Sequence, residues 1–256
     1  MEKKHAHACF FARFSVNLPA MNDKNYQFEI CANSVESCLA AQKGKADRVE
    51  LCAGIPEGGT TPSMGEIEQA RQLLTATRLH VIIRPRGGDF VYSDLEAGRM
   101  LADISLCRAL GVDGVVFGCL TPEGDVDKML CQKLLEAAKG MSVTFHRAFD
   151  RTRIPQEALE DIIGLGFDRL LTSGQQTTAE TGIPLLRELQ EQARGRIALM
   201  AGCGINESNI QRIQRETGIR QFHFSAREIV SHDPEFGDRL LTSEHRVRNI
   251  IKQLTL

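Results

Sequence analysis

Tryptophan is absent from this 256-residue chain and tyrosine occurs only twice. No block of basic residues and no RNA-type aromatic motif is present, and the formal net charge is -2. Nucleic acid is therefore not an expected partner. No apolar run approaches the length of a membrane span, so no membrane partner is expected. Eight cysteines are present without a single CxxC pair. That usage argues against a disulfide scaffold and for reduced thiols in a cytoplasmic protein. The first residues are basic, but Arg13 and Asn17 break the apolar stretch that follows, so a secretory signal fits poorly.

What is there is a series of short apolar runs with charged residues set inside them or at their C-terminal ends. They read FEICA (28–32), RVELC (48–52), HVIIRPR (80–86), GVVFGC (114–119), SVTFHRAFD (142–150), DRLLTSG (168–174), IALMAGCG (197–204) and QFHFSA (221–226). Strand side chains alternate between faces. Phe28 and Ile30 therefore point away from Glu29 and Cys31, and Val49 and Leu51 away from Glu50 and Cys52. Val81 and Ile83 likewise oppose Arg84 and Arg86, Phe145 opposes Thr144 and His146, and Phe222 and Phe224 oppose His223 and Ser225. One face of the sheet is apolar; the other carries carboxylates, arginines, histidines and thiols.

Helical segments with start signals lie between these runs. Asn33 with Glu36, Ser63 with Glu66, and Ser93 with Glu96 each have capping-box spacing. Pro155 suits a first helical position, and Gly111 and Gly140 sit where helices end. Eight strand–helix units in alternation imply parallel strands with right-handed crossovers, and a length of 256 residues is ordinary for a single-domain barrel. A doubly wound open sheet would have both strand faces apolar. The polar face favours an α/β fold of the TIM-type (β/α)8 barrel class, a single domain over 25–256 behind a short N-terminal extension over 1–24. In that extension His5, His7 and Cys9 alternate, but a poorly ordered tail is the expectation.

In such a barrel, chemistry belongs at the C-terminal ends of the strands. Glu29, Glu50, Arg84, Thr144, His146 and His223 are expected to face inward there, with Arg86, Arg147 and Asp150 at or beyond strand ends. One reading is an ion-pair network in which Arg84 and a histidine neutralise Glu29 and Glu50. The other is a functional site, because barrels pack their interior with branched apolar side chains. As an enzyme, the chain would use His146 as general acid or base with Glu29 or Glu50 as its partner, and Asp150 as a weaker candidate. Arg84 and Arg86 would clamp a small anionic or phosphorylated substrate, with Gly87, Gly88, Arg147, Ser173, Gly202, His223 and Ser225 lining it. AGCGIN (201–206), where Asn206 suits a helix cap, and FSAR (224–227) are the loops that hold phosphate in many barrels.

The thiols offer a second chemistry. Cys31 and Cys52 follow Glu29 and Glu50 by two residues on neighbouring strands. Two thiolates so placed can hold a soft ion such as Cu(I), with a histidine or Cys203 as a third ligand; buried packing is the alternative. Cys38, Cys107, Cys119 and Cys131, and His80, His232 and His245, are read as packing or incidental. The amphipathic EHRVRNIIKQL (244–254), with Val247, Ile250, Ile251 and Leu254 on one side, fits either an oligomer contact or the barrel wall.

The segments FEICANSVES, RVELCAGIPEGGTTPS, IRPRGGDFVYS, VTFHRAFD, LLTSGQ and MAG, in this order from about residue 26 to 230, resemble the CutC family. The pairing of RPRGGDF with TFHRAFD is specific to it, and residues 1–24 fall outside the likeness. The resemblance implies a cytoplasmic TIM-type barrel associated with copper homeostasis, a homo-oligomer of dimer or tetramer size. It also implies that Cys31 and Cys52 stand where that family has its proposed copper ligands. Copper is the cofactor it points to, and no organic cofactor is evident.

Overall fold

The computed structural model describes residues 26–235 and 237–255. Eight parallel strands close into a barrel in sequence order. They are β1 (Gln27–Ala32), β2 (Arg48–Leu51), β3 (Arg78–Ile82), β4 (Gly114–Phe117), β5 (Ser142–Phe145), β6 (Arg169–Thr172), β7 (Ala198–Gly202) and β8 (Gln221–Phe224). Helices follow them: α1 (Val35–Lys43), α2 (Met64–Leu73), α3 (Asp94–Ala109), α4 (Lys128–Ala137), α5 (Pro155–Leu165), α6 (Ile183–Ala193), α7 (Ile210–Thr217) and α8 (Glu244–Thr255). β1 pairs with β8 to complete the barrel, Glu29 opposite His223 and Ile30 opposite Phe224. The (β/α)8 expectation is met.

The outward residues of the strands, among them Ile30, Val49, Leu51, Val81 and Phe222, are buried under the helices in one core. Helix starts follow the sequence signals in part. Ser63 and Ser93 form complete capping boxes with Glu66 and Glu96, and Pro155 opens α5. At α1 the cap is Ser34, one residue later than expected, because its hydroxyl reaches the Ser37 amide. Asn33 instead accepts from Ser37 Oγ and donates to the Leu240 carbonyl. Asn206 does not cap α7; Asn209 holds that position, and Asn206 Oδ1 accepts from the Ser208 amide in a turn.

An antiparallel hairpin, β9 (Arg227–Asp233) and β10 (Gly237–Thr242), interrupts the last unit between β8 and α8. Sequence patterning did not reveal it. The hairpin is pinned to α1 by Asn33 and by the Thr242 amide, which donates to Ser37 Oγ. Val247 and Ile250 are buried and the partly buried Ile251 and Leu254 pack against the core, so the α8 stripe covers the barrel wall. No helix among the described residues is long and apolar enough to cross a membrane. The readings made for residues 1–24, including His5, His7 and Cys9, lie outside the described residues.

Candidate functional site

Parallel pairing of β1 with β2 sets Glu29 opposite Arg48 and Cys31 opposite Glu50. β1–β8 pairing adds His223 opposite Glu29. The three strands at the seam of the barrel thus converge five polar side chains on its interior.

Glu29 is fully buried and anchors the group. Arg48 Nε donates to Glu29 Oε2, and His223 Nδ1 lies 2.8 Å from Glu29 Oε1. Burial pushes Glu29 up, but Arg48 and the hydrogen bond from His223 outweigh it and hold the carboxyl well below the usual carboxylate range. The other face of His223 turns toward the mouth, with Nε2 3.6 Å from Glu50 Oε2. For His223 burial disfavours the charge, yet contacts with Cys31, Glu29 and Glu50 raise its proton affinity well above that of a free imidazole. Among the described residues no arginine forms an ion pair with Glu50, and burial pushes it up to about 8.

The two thiols stand above this layer, Cys31 Sγ 3.9 Å from Cys52 Sγ. Cys52 is buried whereas Cys31 is partly open. The hydrogen bond from Cys52 is the main influence drawing Cys31 well below the ordinary thiol range; burial opposes it and His223 assists. The same contact, reinforced by burial, holds the Cys52 thiol well above that range. The two thiols titrate as a pair in which Cys31 gives up its proton more readily than Cys52. One donor atom each from Cys31, Glu50 and His223 lies within 4.8 Å of the others, an arrangement able to hold a metal ion.

Several expected partnerships differ. Arg84 does not neutralise Glu29 or Glu50; Arg48 takes that role for Glu29. Arg84 donates instead to the carbonyls of Glu57 at 2.7 Å, Gly59 at 2.9 Å and Gly88 at 2.8 Å. His146 makes no hydrogen bond or ion pair with either glutamate; its Nδ1 accepts from the Ala148 amide. His223, expected only to line the site, is the histidine that both glutamates contact. Arg86 is not free to clamp an anion, because it is spent on Glu96 Oε1 at 2.6 Å, Asp89 Oδ1 at 2.9 Å and the Val91 carbonyl. Gly87 is required by Glu57, whose Oε2 would sit 2.5 Å from an added Cβ, and Gly88 by its φ of +82°.

Asp150, Arg147 and Ser173 do meet, as a saturated loop knot. Asp150 accepts from Thr172 Oγ1, the Ser173 amide and hydroxyl, the Gln175 amide and Arg147 Nε. An added Cβ at Gly202 would lie 2.5 Å from Leu171 Cδ1, and the Ser225 backbone carbonyl accepts from Thr242 Oγ1. Cys203 Sγ donates to the Thr177 carbonyl and does not join the other thiols.

Sequence reading passed over Arg48 and His80. Arg48 also reaches Gln221 Oε1 and Met200 Sδ, and His80 Nδ1 lies 3.9 Å from Glu29. Both belong to the polar face by the alternation that marked Glu50 and Arg84, so the signal was present.

A model of the CutC family matches residues 26–228. A CutC family protein of Bacteroides thetaiotaomicron is 68% identical over 83% of this chain and 86% of its own length. The copper homeostasis protein cutC homolog of Homo sapiens is 46% identical over 90% of this chain and 88% of its own. Among solved structures, the putative copper homeostasis protein CutC of Streptococcus agalactiae superposes with a TM-score of 0.75 at 36% identity. That match covers 78% of this chain and 98% of the other. Matched along most of its barrel by a family model, by close relatives and by a solved structure, the chain belongs to the CutC family.

Proposed function

We propose that the chain serves copper homeostasis in the cytoplasm by binding Cu(I) at Cys31 and Cys52, with His223 as a third ligand. The observation that carries this reading is the 3.9 Å approach of two sulfurs at the barrel mouth. With metal–thiolate bonds of roughly 2.3 Å, two sulfurs around a three-coordinate ion stand about 4 Å apart, and around a linear one about 4.6 Å. The sulfur pair thus needs little movement to share an ion; Cys52 is outside the set of Cys31, Glu50 and His223 donors that stand within 4.8 Å of one another, so a third bond from His223 requires some rearrangement.

Donor chemistry favours a soft ion. Cys31, the thiol that gives up its proton more readily, supplies one sulfur and Cys52 a second, and Cu(I) prefers both to carboxylate oxygen. Glu29 fixes the His223 ring through Nδ1, so Nε2 is the nitrogen that would ligate, after giving up the proton that its acidic neighbours help it to hold. Glu50, protonated at neutral pH, is a poor ligand and a ready hydrogen-bond donor. The seven described cysteines are all free, as a thiol site in a reducing compartment requires.

The enzyme alternative, built on Glu29 or Glu50 with Arg84 and His146, has less behind it, because no hydrogen bond or ion pair among the described residues joins the two halves of that set. The test is an anaerobic Cu(I) titration against a competing chelator. Wild-type protein should bind one ion tightly, and Cys31→Ser/Cys52→Ser, checked for folding, should lose it. Glu29→Gln, which loosens His223, should weaken binding by about 10- to 100-fold. Binding unchanged in the double serine variant would overturn the assignment.

A further inference from the structure

A second polar cluster follows the ends of β3 and β5, and the copper site makes no use of it, although Gly59, whose carbonyl Arg84 holds, also borders Cys52. Arg84 is 4% exposed and His146 likewise 4%. Among the described residues no carboxylate lies within ion-pair distance of Arg84. A buried guanidinium without a counter-ion is costly, and three backbone carbonyls satisfy its hydrogen bonds without neutralising its charge. Its Nε remains without a partner, as do His146 Nε2 and the Tyr92 hydroxyl, all three buried.

These atoms belong to one neighbourhood. The Arg84 guanidinium carbon stands 4.8 Å from the centre of the Phe90 ring, and the His146 ring meets the same phenyl edge-on at 5.0 Å. After burial, Arg84 is the chief influence that depresses His146, to about 3, and it also acts on the Tyr92 hydroxyl. His146 is therefore neutral at physiological pH. Its Nδ1 accepts from the Ala148 amide, so the ring proton resides on Nε2. The three orphaned atoms are thus an arginine N–H, an imidazole N–H and a phenol O–H. All can donate, beside an unpaired positive charge, and such a set repels cations and lacks only acceptor oxygens bearing negative charge.

We propose that Arg84, Tyr92 and His146 form a binding site for the oxygens of a small carboxylate or phosphate, separate from the thiol site. The charge of the anion completes Arg84, and its oxygens take the three donors. Phe90 forms an apolar wall against which both Arg84 and His146 pack. Arg86 and Arg147 flank the cluster but are held by Asp89, Glu96 and Asp150.

The absence of tryptophan makes the test direct. In a Tyr26→Phe background, Tyr92 is the sole tyrosine and reports on its own surroundings. Metal-free full-length protein is titrated at constant ionic strength with inorganic phosphate and, separately, acetate. Tyr92 emission and the His146 Nε2–H NMR signal are followed together. The expected result is saturable change in both signals with at least one probe, the tighter probe identifying the class. Tyr92→Phe removes a hydroxyl whose one polar protein neighbour is the Arg84 side chain, and Arg84 keeps its three backbone carbonyls, so folding should be intact. Followed by the His146 signal, it should bind about tenfold more weakly, the loss of one charge-assisted hydrogen bond. His146→Phe, followed by Tyr92 emission, should show a similar loss. Cys31→Ser/Cys52→Ser should bind as wild type, which separates this site from the copper reading. No saturation with either probe, as expected if only water occupies the cluster, would overturn the proposal. So would undiminished binding in both Tyr92→Phe and His146→Phe.

Discussion

Glu29 and Glu50 occupy adjacent strands and contact the same imidazole, yet their protons behave oppositely. Glu29 has Arg48, so it stays ionised despite complete burial. Glu50 has the outer edge of His223 at 3.6 Å and the Cys52 thiol, and burial outweighs both, raising it to about 8. A carboxyl whose proton affinity is raised by folding favours the native state below its unfolded pKa, near 4.5. That contribution is lost as pH rises from there through about 8, by about 1.4 kcal/mol for each pH unit crossed. Wild-type stability should therefore decline between pH 5 and 8 relative to Glu50→Gln, which carries no titrating group. Thermal melts of both proteins across that window measure the difference. Parallel curves would show that Glu50 ionises freely and that its environment is wetter than its burial implies.

At the level of elements, α1 and α8 are locked at one point. Gly44 ends α1 with φ of −71°, so its backbone is open to any residue. An added Cβ there would lie 2.6 Å from Val247 Cγ1 on α8. The requirement for glycine is one of space alone. Gly44→Ala should cost about 1–3 kcal/mol, as overpacking does, and Val247→Ala should return part of that in the double variant. Denaturant unfolding of the four proteins gives the coupling; additive losses would mean that the helices separate without strain. The elements themselves were legible in the sequence, because a period of two on eight short runs and boxes such as Ser63–Glu66 are local signals. The β9–β10 hairpin was not, since REIVSHD carries no apolar alternation and its strands are largely exposed. The candidate site was legible as a set and not as pairs. Alternation marked Glu29, Glu50, Arg84, His146 and His223 as inward, but which of them meet depends on register between strands. The offset that faces Glu29 with Arg48 and Cys31 with Glu50 is set by barrel closure, a non-local property.

For the molecule as a whole, the thiol site lies on the seam. β1 carries Cys31, Cys52 follows β2, and β8 carries His223, so the three donors bridge the first strands of the barrel and the last. The β1–β8 pairing is the one that joins the two ends of the described barrel, and it closes a loop of some 190 residues. An ion held by Cys31, Cys52 and His223 adds a link across that closure, and a ligand that binds only the folded state stabilises it by mass action. At a free Cu(I) concentration about 100 times the dissociation constant the gain is about 2.7 kcal/mol. Cu(I) should therefore raise the melting temperature of the wild-type protein and not that of Cys31→Ser/Cys52→Ser. Amide exchange should slow most in β1, β2 and β8 and least in β4 to β6, across the barrel. The pattern discriminates between sites: slowing centred on β4 to β6 would place the ion elsewhere in the barrel. Exchange that is unchanged throughout while the metal binds would mean that the donors grip the ion without tightening the seam, which the buried hydrogen bonds of Glu29 would then already hold shut.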